Sequence, residues 1–281
     1  MAIRITSDST CDLNYLAQER SIGIIPLKVN LDTATYLDGI DITPEEIFAF
    51  VKEKKMLPKT SACSQTDYEE HWEKEFENGA DEIVHISISA KSSVSNAQAN
   101  QAKVKFGGKV RVIDSMALSS GQGLLALKAA DMRDAGASAE EIETTLNELR
   151  YHVNTSFIPD RLDYLFKGGR CSRMQMYGAN ILGIHPLIDM IDGALQSNGK
   201  YKGKMPVIIK KYVADLAQRY PSYDRTRCFI THSSADEPLV EAAREAVKEY
   251  FDFETVYETV AGSIITSHCG KNTLGVLFIH D

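Results

Sequence analysis

Residues 2–20, AIRITSDSTCDLNYLAQER, contain the pattern on which the fold depends. Small and β-branched residues cluster in Ala2–Thr6, which predicts a strand. The run Ser7–Thr10 then supplies polar side chains that can cap a helix, and Asp12–Arg20 has a helical composition. The stretch therefore predicts a strand, a polar turn and a helix, in that order.

The same order recurs twice in the first half of the chain. A strand over Glu82–Ile88 runs into the hydroxyl-rich turn Ser89–Asn96 and then into a helix rich in alanine and glutamine. Val110–Ile113 is a further strand, followed by Asp114-Ser115 and two helices. Strands that alternate with helices favour a parallel sheet, in which ligands bind beyond the carboxyl ends of the strands.

Three further segments complete the predicted first half. Ile22–Leu31 reads as one strand, and Pro58–Ser64 as a loop rich in hydroxyl groups. Thr43-Pro44-Glu45-Glu46 is a capping box with proline at the first helical position, so a helix is predicted over about 44–54.

The alternation loosens after Arg150, which indicates a second unit. Val153–Ile158 looks extended, and Ile184–Ile191 and Ala194–Ser197 flank a turn and predict a hairpin. Two helices and two strands are predicted later in the chain: Pro206–Arg219, Pro238–Tyr250, Cys228–His232 and Thr255–Val260. We therefore expect an α/β protein of two domains. Residues 1–155 would form a parallel sheet with flanking helices, and residues 156–281 a mixed α/β domain.

Composition and charge narrow the class of protein. The 281 residues carry 31 Lys and Arg against 39 Asp and Glu, a net charge of −8 that argues against a polyanionic partner such as nucleic acid. The five cysteines are scattered without metal-ligand spacing, and no apolar run approaches the ~18 residues of a membrane span. We expect a soluble, cytoplasmic protein.

One histidine, His268, stands in a run of hydroxyls and glycines, GSIITSHCGKNTLG, at 262–275. Because the apolar strand Val276–Ile279 follows at once, we expect His268 on a turn that enters a sheet. The other polar turns have a simpler explanation, since serine and threonine are common helix caps. The polar turns would have a functional role only if several of them meet in one crevice.

The sequence contains no complete motif of the common catalytic sites. A Ser/His/Asp hydrolase could use His268 with Asp8 or Asp114, but no GxSxG elbow singles out a serine. The seven histidines show no HExxH or other paired ligand spacing, and no Walker sequence is present. Hydroxyls with a histidine and the basic glycine loop Lys167–Arg173 suit holding an oxyanion better than cleaving a bond.

In their order along the chain, these turns resemble the DegV family, whose members include the fatty-acid-binding subunits of bacterial fatty acid kinases. The resemblance spans essentially the whole chain. It is carried by these stretches: Ile5–Leu13, Asp38–Glu46, Pro58–Ser61, Ser89–Ser95, Val112–Ser115, Leu165–Arg170, His185–Leu187, Asp192-Gly193 and the stretch around His268.

The resemblance implies a long-chain fatty acid in a tunnel between the two domains. Its carboxylate would be bound by Thr60 or Ser61, by Ser93 and by His268. Arg170 would lie near the mouth, where the partner and the phosphoryl group are met. The chain would need no cofactor or metal and would transfer no phosphate itself, because a separate ATP-dependent kinase subunit would phosphorylate the bound carboxylate.

The physical chemistry agrees with such a role. Burial of about 16 methylenes at about 0.8 kcal/mol each gives roughly 13 kcal/mol before association and ordering costs. The tail would supply affinity and the polar groups would set the register. Two alternatives stay open: a hydrolase acting on a lipid or ester with Ser93 and His268, and a carrier or sensor for another carboxylate.

Two positions depart from the family pattern. The usual Leu-Ser-Gly-Thr reads Ser92-Ser93-Val94-Ser95, and valine cannot take the positive φ values open to glycine. The usual Thr-Gly-Pro-Gly after His268 reads Cys269-Gly270-Lys271-Asn272, which adds a cation and removes a stiff proline. Either change is expected to reshape the head-group pocket.

Overall fold

A computed structural model describes residues 1–170 and 183–281. The strands, numbered β1 to β14, are Ile3–Asp8, Ile22–Ile25, Lys28–Leu31, Ala34–Leu37, Lys59–Ser61, Glu82–Ser87, Val110–Asp114, Val153–Asn154, Ser156–Ile158, Ile184–Ile191, Ala194–Lys202, Tyr223–Ser233, Thr255–Val260 and Thr273–His280. The helices, numbered α1 to α10, are Tyr15–Glu19, Pro44–Lys54, Gln65–Glu77, Ser95–Ala102, Ser119–Asp134, Ala139–Leu149, Asp163–Lys167, Met205–Arg219, Glu237–Tyr250 and Ser263–Cys269.

The predicted N-terminal parallel sheet is confirmed. Its four strands run in the order β2-β1-β6-β7, and every neighbouring pair is parallel. Most residues of β1 and β6, the two central strands, are buried, as in strands of parallel sheets. The capping box predicted at Thr43 is formed, with Glu46 as the returning side chain. A second capping box joins Ser138 and Glu141 at the start of α6.

A small antiparallel sheet was missed in the sequence. Residues 22–31 were predicted as one strand but form two, because the chain breaks at Pro26-Leu27: β2 joins the parallel sheet, and β3 pairs with β4 and β5. Proline cannot donate to a strand ladder, which explains the break. β5 lies inside the segment predicted as a loop, so the prediction for Pro58–Ser64 was wrong in part.

The second sheet contains seven strands and is mixed, as predicted. Its order is β11-β10-β9-β14-β12-β13, with β8 also paired to β14. Only the β12–β13 pair is parallel, and the predicted hairpin is formed by β10 and β11.

Helix α5 lies between the two sheets and brings them into one core. It contacts β1 and β6 on one side and β12 and β14 on the other. Its residues Leu124 and Leu127 belong to the same buried cluster as Ile5, Phe229 and Leu277. The carboxyl ends of the first sheet thus lie close to the second sheet. The domain boundary near residue 155 remains a prediction.

Candidate functional site

His268 and Thr60 meet at the centre of the candidate site. His268 lies in the last turn of α10, and its Nε2 is 2.8 Å from Thr60 Oγ1 on β5. The prediction that His268 lies on a turn was therefore wrong. A seven-residue helix, Ser263–Cys269, comes before β14 and carries the imidazole.

Thr60 and Ser61 are separated by the pleat of β5. Successive side chains of a strand point to opposite faces, and only Thr60 reaches His268. Ser61 is exposed, and its Oγ accepts a hydrogen bond from Asn30 Nδ2 at 2.9 Å. Of the two residues predicted as alternatives, Thr60 is the one that the structure brings to the imidazole.

The other ring nitrogen of His268 has no hydrogen-bond partner among the described residues. Nδ1 is buried and lies against Gly168, where an added Cβ would be 2.5 Å from it. A side chain at Gly168 would displace the imidazole. Burial, together with the charge of Arg170, lowers the pKa of His268 to about 4. The imidazole is therefore neutral at pH 7 and has one N–H to donate.

Ser93 lies at the start of α4 and is not bonded to this pair. Its Oγ is 2.9 Å from Ser95 Oγ and accepts the Ser95 N–H at 3.2 Å. No hydrogen bond in the described part of the chain joins Ser93 to Thr60 or His268. Its present contacts are those of a serine at the start of a helix.

Val94, beside Ser93, has φ −76° and ψ −2°. This is an ordinary right-handed conformation that valine adopts without strain, so glycine is not required there.

The second departure from the family pattern is bound to Asp236. Lys271 Nζ lies 2.8 Å from Asp236 Oδ1, and the Asn272 side chain accepts the Asp236 N–H at 2.9 Å. The changed turn is thus attached to the start of α9.

Arg170 borders a polar cavity beside the loop that carries Ser93. The arginine is exposed, and its NH1 donates to Gly168 O at 2.9 Å. The cavity measures about 570 Å³, and these residues line it: Lys91, Ser92, Gly169, Arg170, Asp192, Ala194, Leu195 and Gln196. Residues 171–173 of the predicted basic glycine loop lie outside the described residues.

A second, apolar cavity lies between α5, α10 and the second sheet. Leu118, Phe157, Ile265, Cys269 and Leu277 contribute to its wall. It measures about 30 Å³, which is space for no more than a few water molecules. An acyl chain entering here would have to move these side chains.

The carboxylates proposed for a hydrolase triad are engaged elsewhere. Asp8 accepts hydrogen bonds from Tyr68 OH at 2.6 Å and the Ile88 N–H at 2.8 Å. Asp114 accepts the Ala90 and Met116 N–H groups. No described carboxylate hydrogen bonds to His268, and the hydroxyl that it meets belongs to threonine.

Sequence reasoning overlooked three residues that shape this site. Gly168 was read only as part of a basic glycine loop, yet it packs on the imidazole. Asp12 and Asp38 accept N–H groups at the start of α10. Both aspartates lie in the stretches that carry the family resemblance, which was the one signal available for them.

The described residues contain no cluster of three or more His, Cys, Asp or Glu side chains arranged to hold a metal ion. None of their helices combines the length and the apolar character that a membrane crossing requires.

The family model of DegV proteins matches residues 2–281. The chain belongs to the DegV family. A DegV domain-containing protein of Clostridium acetobutylicum is 30% identical over 279 residues, covering 99% of this chain and 98% of that protein.

Solved DegV structures share the fold throughout. A fatty-acid-binding DegV family protein from Thermus thermophilus superposes with a TM-score of 0.92 at 28% identity, with 100% of both chains covered. A Thermotoga maritima protein with a fatty acid binding function gives a TM-score of 0.85 at 26% identity, with 99% of both chains covered.

Proposed function

We propose that this protein binds a long-chain fatty acid, with the carboxylate held at His268 and Thr60. The observation that carries the proposal is the part-buried His268–Thr60 pair at 2.8 Å, in a chain whose structural relatives bind fatty acids. A neutral imidazole and a hydroxyl can both donate to a carboxylate, and charge-assisted hydrogen bonds are the stronger kind.

Ser93 is the third member of the proposed head-group site. In the structure its hydroxyl is shared with Ser95. A hydroxyl rotates freely to suit its partner, so Ser93 can exchange this contact for one with an arriving carboxylate. In this proposal Thr60 and His268 hold the carboxylate, and Ser93, in the loop after β6, donates a further hydrogen bond to it.

The tail is proposed to occupy the space between the two halves of the chain, along the apolar wall near Leu118, Phe157 and Ile265. The cavity there is small, so binding would be coupled to rearrangement of these side chains. That rearrangement is part of the ordering cost that the buried methylenes must exceed.

Presentation of the carboxylate to a separate ATP-dependent kinase subunit is the finer part of the proposal. It follows from the family resemblance and from the position of Arg170 on a polar cavity that Gly169 also lines, one residue after Gly168, which packs on His268. A guanidinium there is suited to a transferring phosphoryl group. We propose a cytoplasmic setting, in which the buried thiols of Cys11, Cys63 and Cys228, which form no disulfide among the described residues, would stay reduced.

Solvent extraction of the purified protein followed by mass spectrometry tests the binding proposal. We expect stoichiometric fatty acid, or uptake of added oleate or palmitate by delipidated protein. Failure of both would sink the proposal. Turnover of p-nitrophenyl esters that disappears in Ser93→Ala would instead support a hydrolase.

A second assay separates a kinase subunit from a carrier or sensor. A candidate kinase should co-elute with the loaded protein and form acyl phosphate. Bound fatty acid without any such product would favour a carrier or sensor.

A further inference from the structure

Helix α10 begins in an unusual way, because its own side chains do not cap it. The residue before the helix is Gly262, which has no side chain to offer. The first N–H groups of a helix have no partner within it. Here they are bound by two aspartates that lie more than 200 residues earlier in the chain.

The two carboxylates divide these N–H groups between them. Asp12 Oδ1 accepts the Gly262 N–H at 2.8 Å, and Asp38 Oδ1 accepts the Ser263 N–H at 2.7 Å and the Ile264 N–H at 3.4 Å. Their second oxygens are bound as well. Asp12 Oδ2 accepts from Ser119 Oγ at 2.5 Å, and Asp38 Oδ2 from Ser9 Oγ at 2.7 Å.

Asp38 also connects to the strand beside Thr60. Its N–H donates to Leu27 O at 2.9 Å, and Ser9 Oγ, which donates to Asp38, accepts the Leu27 N–H at 3.1 Å. β3 begins at the next residue and pairs with β5, Val29 standing opposite Thr60. Asp38 is therefore bonded both to the start of α10, the helix that carries His268, and to Leu27, beside the strand that pairs with Thr60.

Both carboxyls are buried, and burial raises the pKa of each. A buried carboxyl retains its place only where hydrogen bonds offset its desolvation. The N–H groups of Gly262, Ser263 and Ile264 and the hydroxyls of Ser9 and Ser119 supply them. Because α10 is only seven residues long, a shift at Ser263 would be passed to His268 near its other end.

We infer that Asp38 and Asp12 are positioning residues that set α10, and with it His268, in register with Thr60. This inference rests on the proposed function for its effect on ligand binding. Neither aspartate touches the proposed carboxylate site.

The test is Asp38→Ala, with Asp38→Asn as the conservative variant and Glu140→Gln as the charge control. Glu140 is exposed on α6 and also loses one negative charge. Asparagine keeps an oxygen that can accept the Ser263 N–H, whereas alanine does not. The readouts are fatty acid affinity and the ¹⁵N resonances of the His268 imidazole, assigned with His268→Gln.

We expect Asp38→Ala to weaken fatty acid affinity about tenfold, the loss of one charge-assisted hydrogen bond. The His268 resonances should move toward those of an unconstrained imidazole. Asp38→Asn and Glu140→Gln should stay close to wild type in both readouts. Unchanged His268 resonances in folded Asp38→Ala would overturn the inference, even if affinity fell.

Two further arms keep the test decisive. If Asp38→Ala does not fold, Ser9→Ala removes one donor from Asp38 Oδ2. A smaller move of the His268 resonances in the same direction then supports the inference, and no move overturns it. If the wild-type protein takes up no fatty acid, the proposed function fails, but the resonances of the unliganded protein still decide whether Asp38 positions His268.

Discussion

His268 Nε2 lies 2.8 Å from Thr60 Oγ1, although 208 positions separate the two residues in the chain. One comes from a helix that ends beside α7, the other from a three-residue strand of the small antiparallel sheet. The imidazole is part-buried and neutral, and its second nitrogen, Nδ1, is buried against Gly168. These features lead to five predictions.

Thr60→Val should weaken fatty acid binding about tenfold, since it removes one hydrogen bond to a charged group at nearly constant volume. Ser61→Ala is the matched control, because Ser61 lies on the other face of β5. Fluorescent fatty acid displacement measures both affinities. Equal losses in the two variants would contradict the assignment of Thr60.

The pKa of His268 should respond to the ligand. In the free protein it is lowered to about 4, and a bound carboxylate favours the imidazolium form. We therefore expect NMR titration to give a higher pKa in the loaded protein than in the free protein. An unchanged pKa would place the carboxylate away from His268.

The same shift predicts a pH dependence of stability. A histidine with a lowered folded pKa contributes stability that is fully present above its unfolded value of about 6.5 and is lost as pH falls through the folded value. Wild type should lose more stability than His268→Gln between about pH 6.5 and pH 4. Urea unfolding of both proteins across this range measures the difference.

Asp12 should contribute stability with the opposite pH dependence to that of His268. Burial raises its pKa to about 8, so its contribution is present below the unfolded value near 4 and is lost as pH rises through about 8. Asp12→Asn cannot titrate and should show a flatter stability profile between pH 5 and pH 8. A parallel profile in the variant would contradict the raised pKa.

Gly168→Ala should destabilise the protein by about 1–3 kcal/mol, the usual cost of forcing an atom into packed space. The new Cβ would meet His268 Nδ1 at 2.5 Å and Tyr164 O at 2.8 Å. Fatty acid affinity should fall as the imidazole moves.

Gly169→Ala provides the comparison. Gly169 has φ +72° and open space around its Cα. The alanine there should cost stability through backbone strain alone and leave the NMR signals of His268 in place. A shift of those signals in Gly169→Ala only would reverse the roles assigned to the two glycines.

Several regular elements could be predicted because their signals are local. The capping boxes at Thr43 and Ser138 and the hairpin around Asp192-Gly193 each depend on a few neighbouring residues. Residues 22–31 were predicted as a strand, but not the division of that strand at Pro26, and the strand at Lys59–Ser61 was missed because its pairing with β3 is long-range. Short polar strands depend on partners that a local pattern does not contain.

The membership of the candidate site remains a prediction, and its geometry could not be predicted from the sequence. Family resemblance singled out Thr60, Ser61, Ser93, Arg170 and His268, and the structure brings Thr60 to His268. The choice between Thr60 and Ser61 required the pairing of β5. The helix that carries His268 could not be predicted from its own sequence, because the groups that cap it, Asp12 and Asp38, lie at the other end of the chain.

The turn after His268 has a practical consequence for anyone who exchanges parts between relatives. Lys271 and Asn272 are bound to Asp236, at the start of α9. Grafting the family's Thr-Gly-Pro-Gly turn into this chain would remove both contacts and leave Asp236 behind. A chimera made to alter ligand choice should therefore replace residue 236 together with the turn. Otherwise any change in binding could result from the lost contacts at the start of α9.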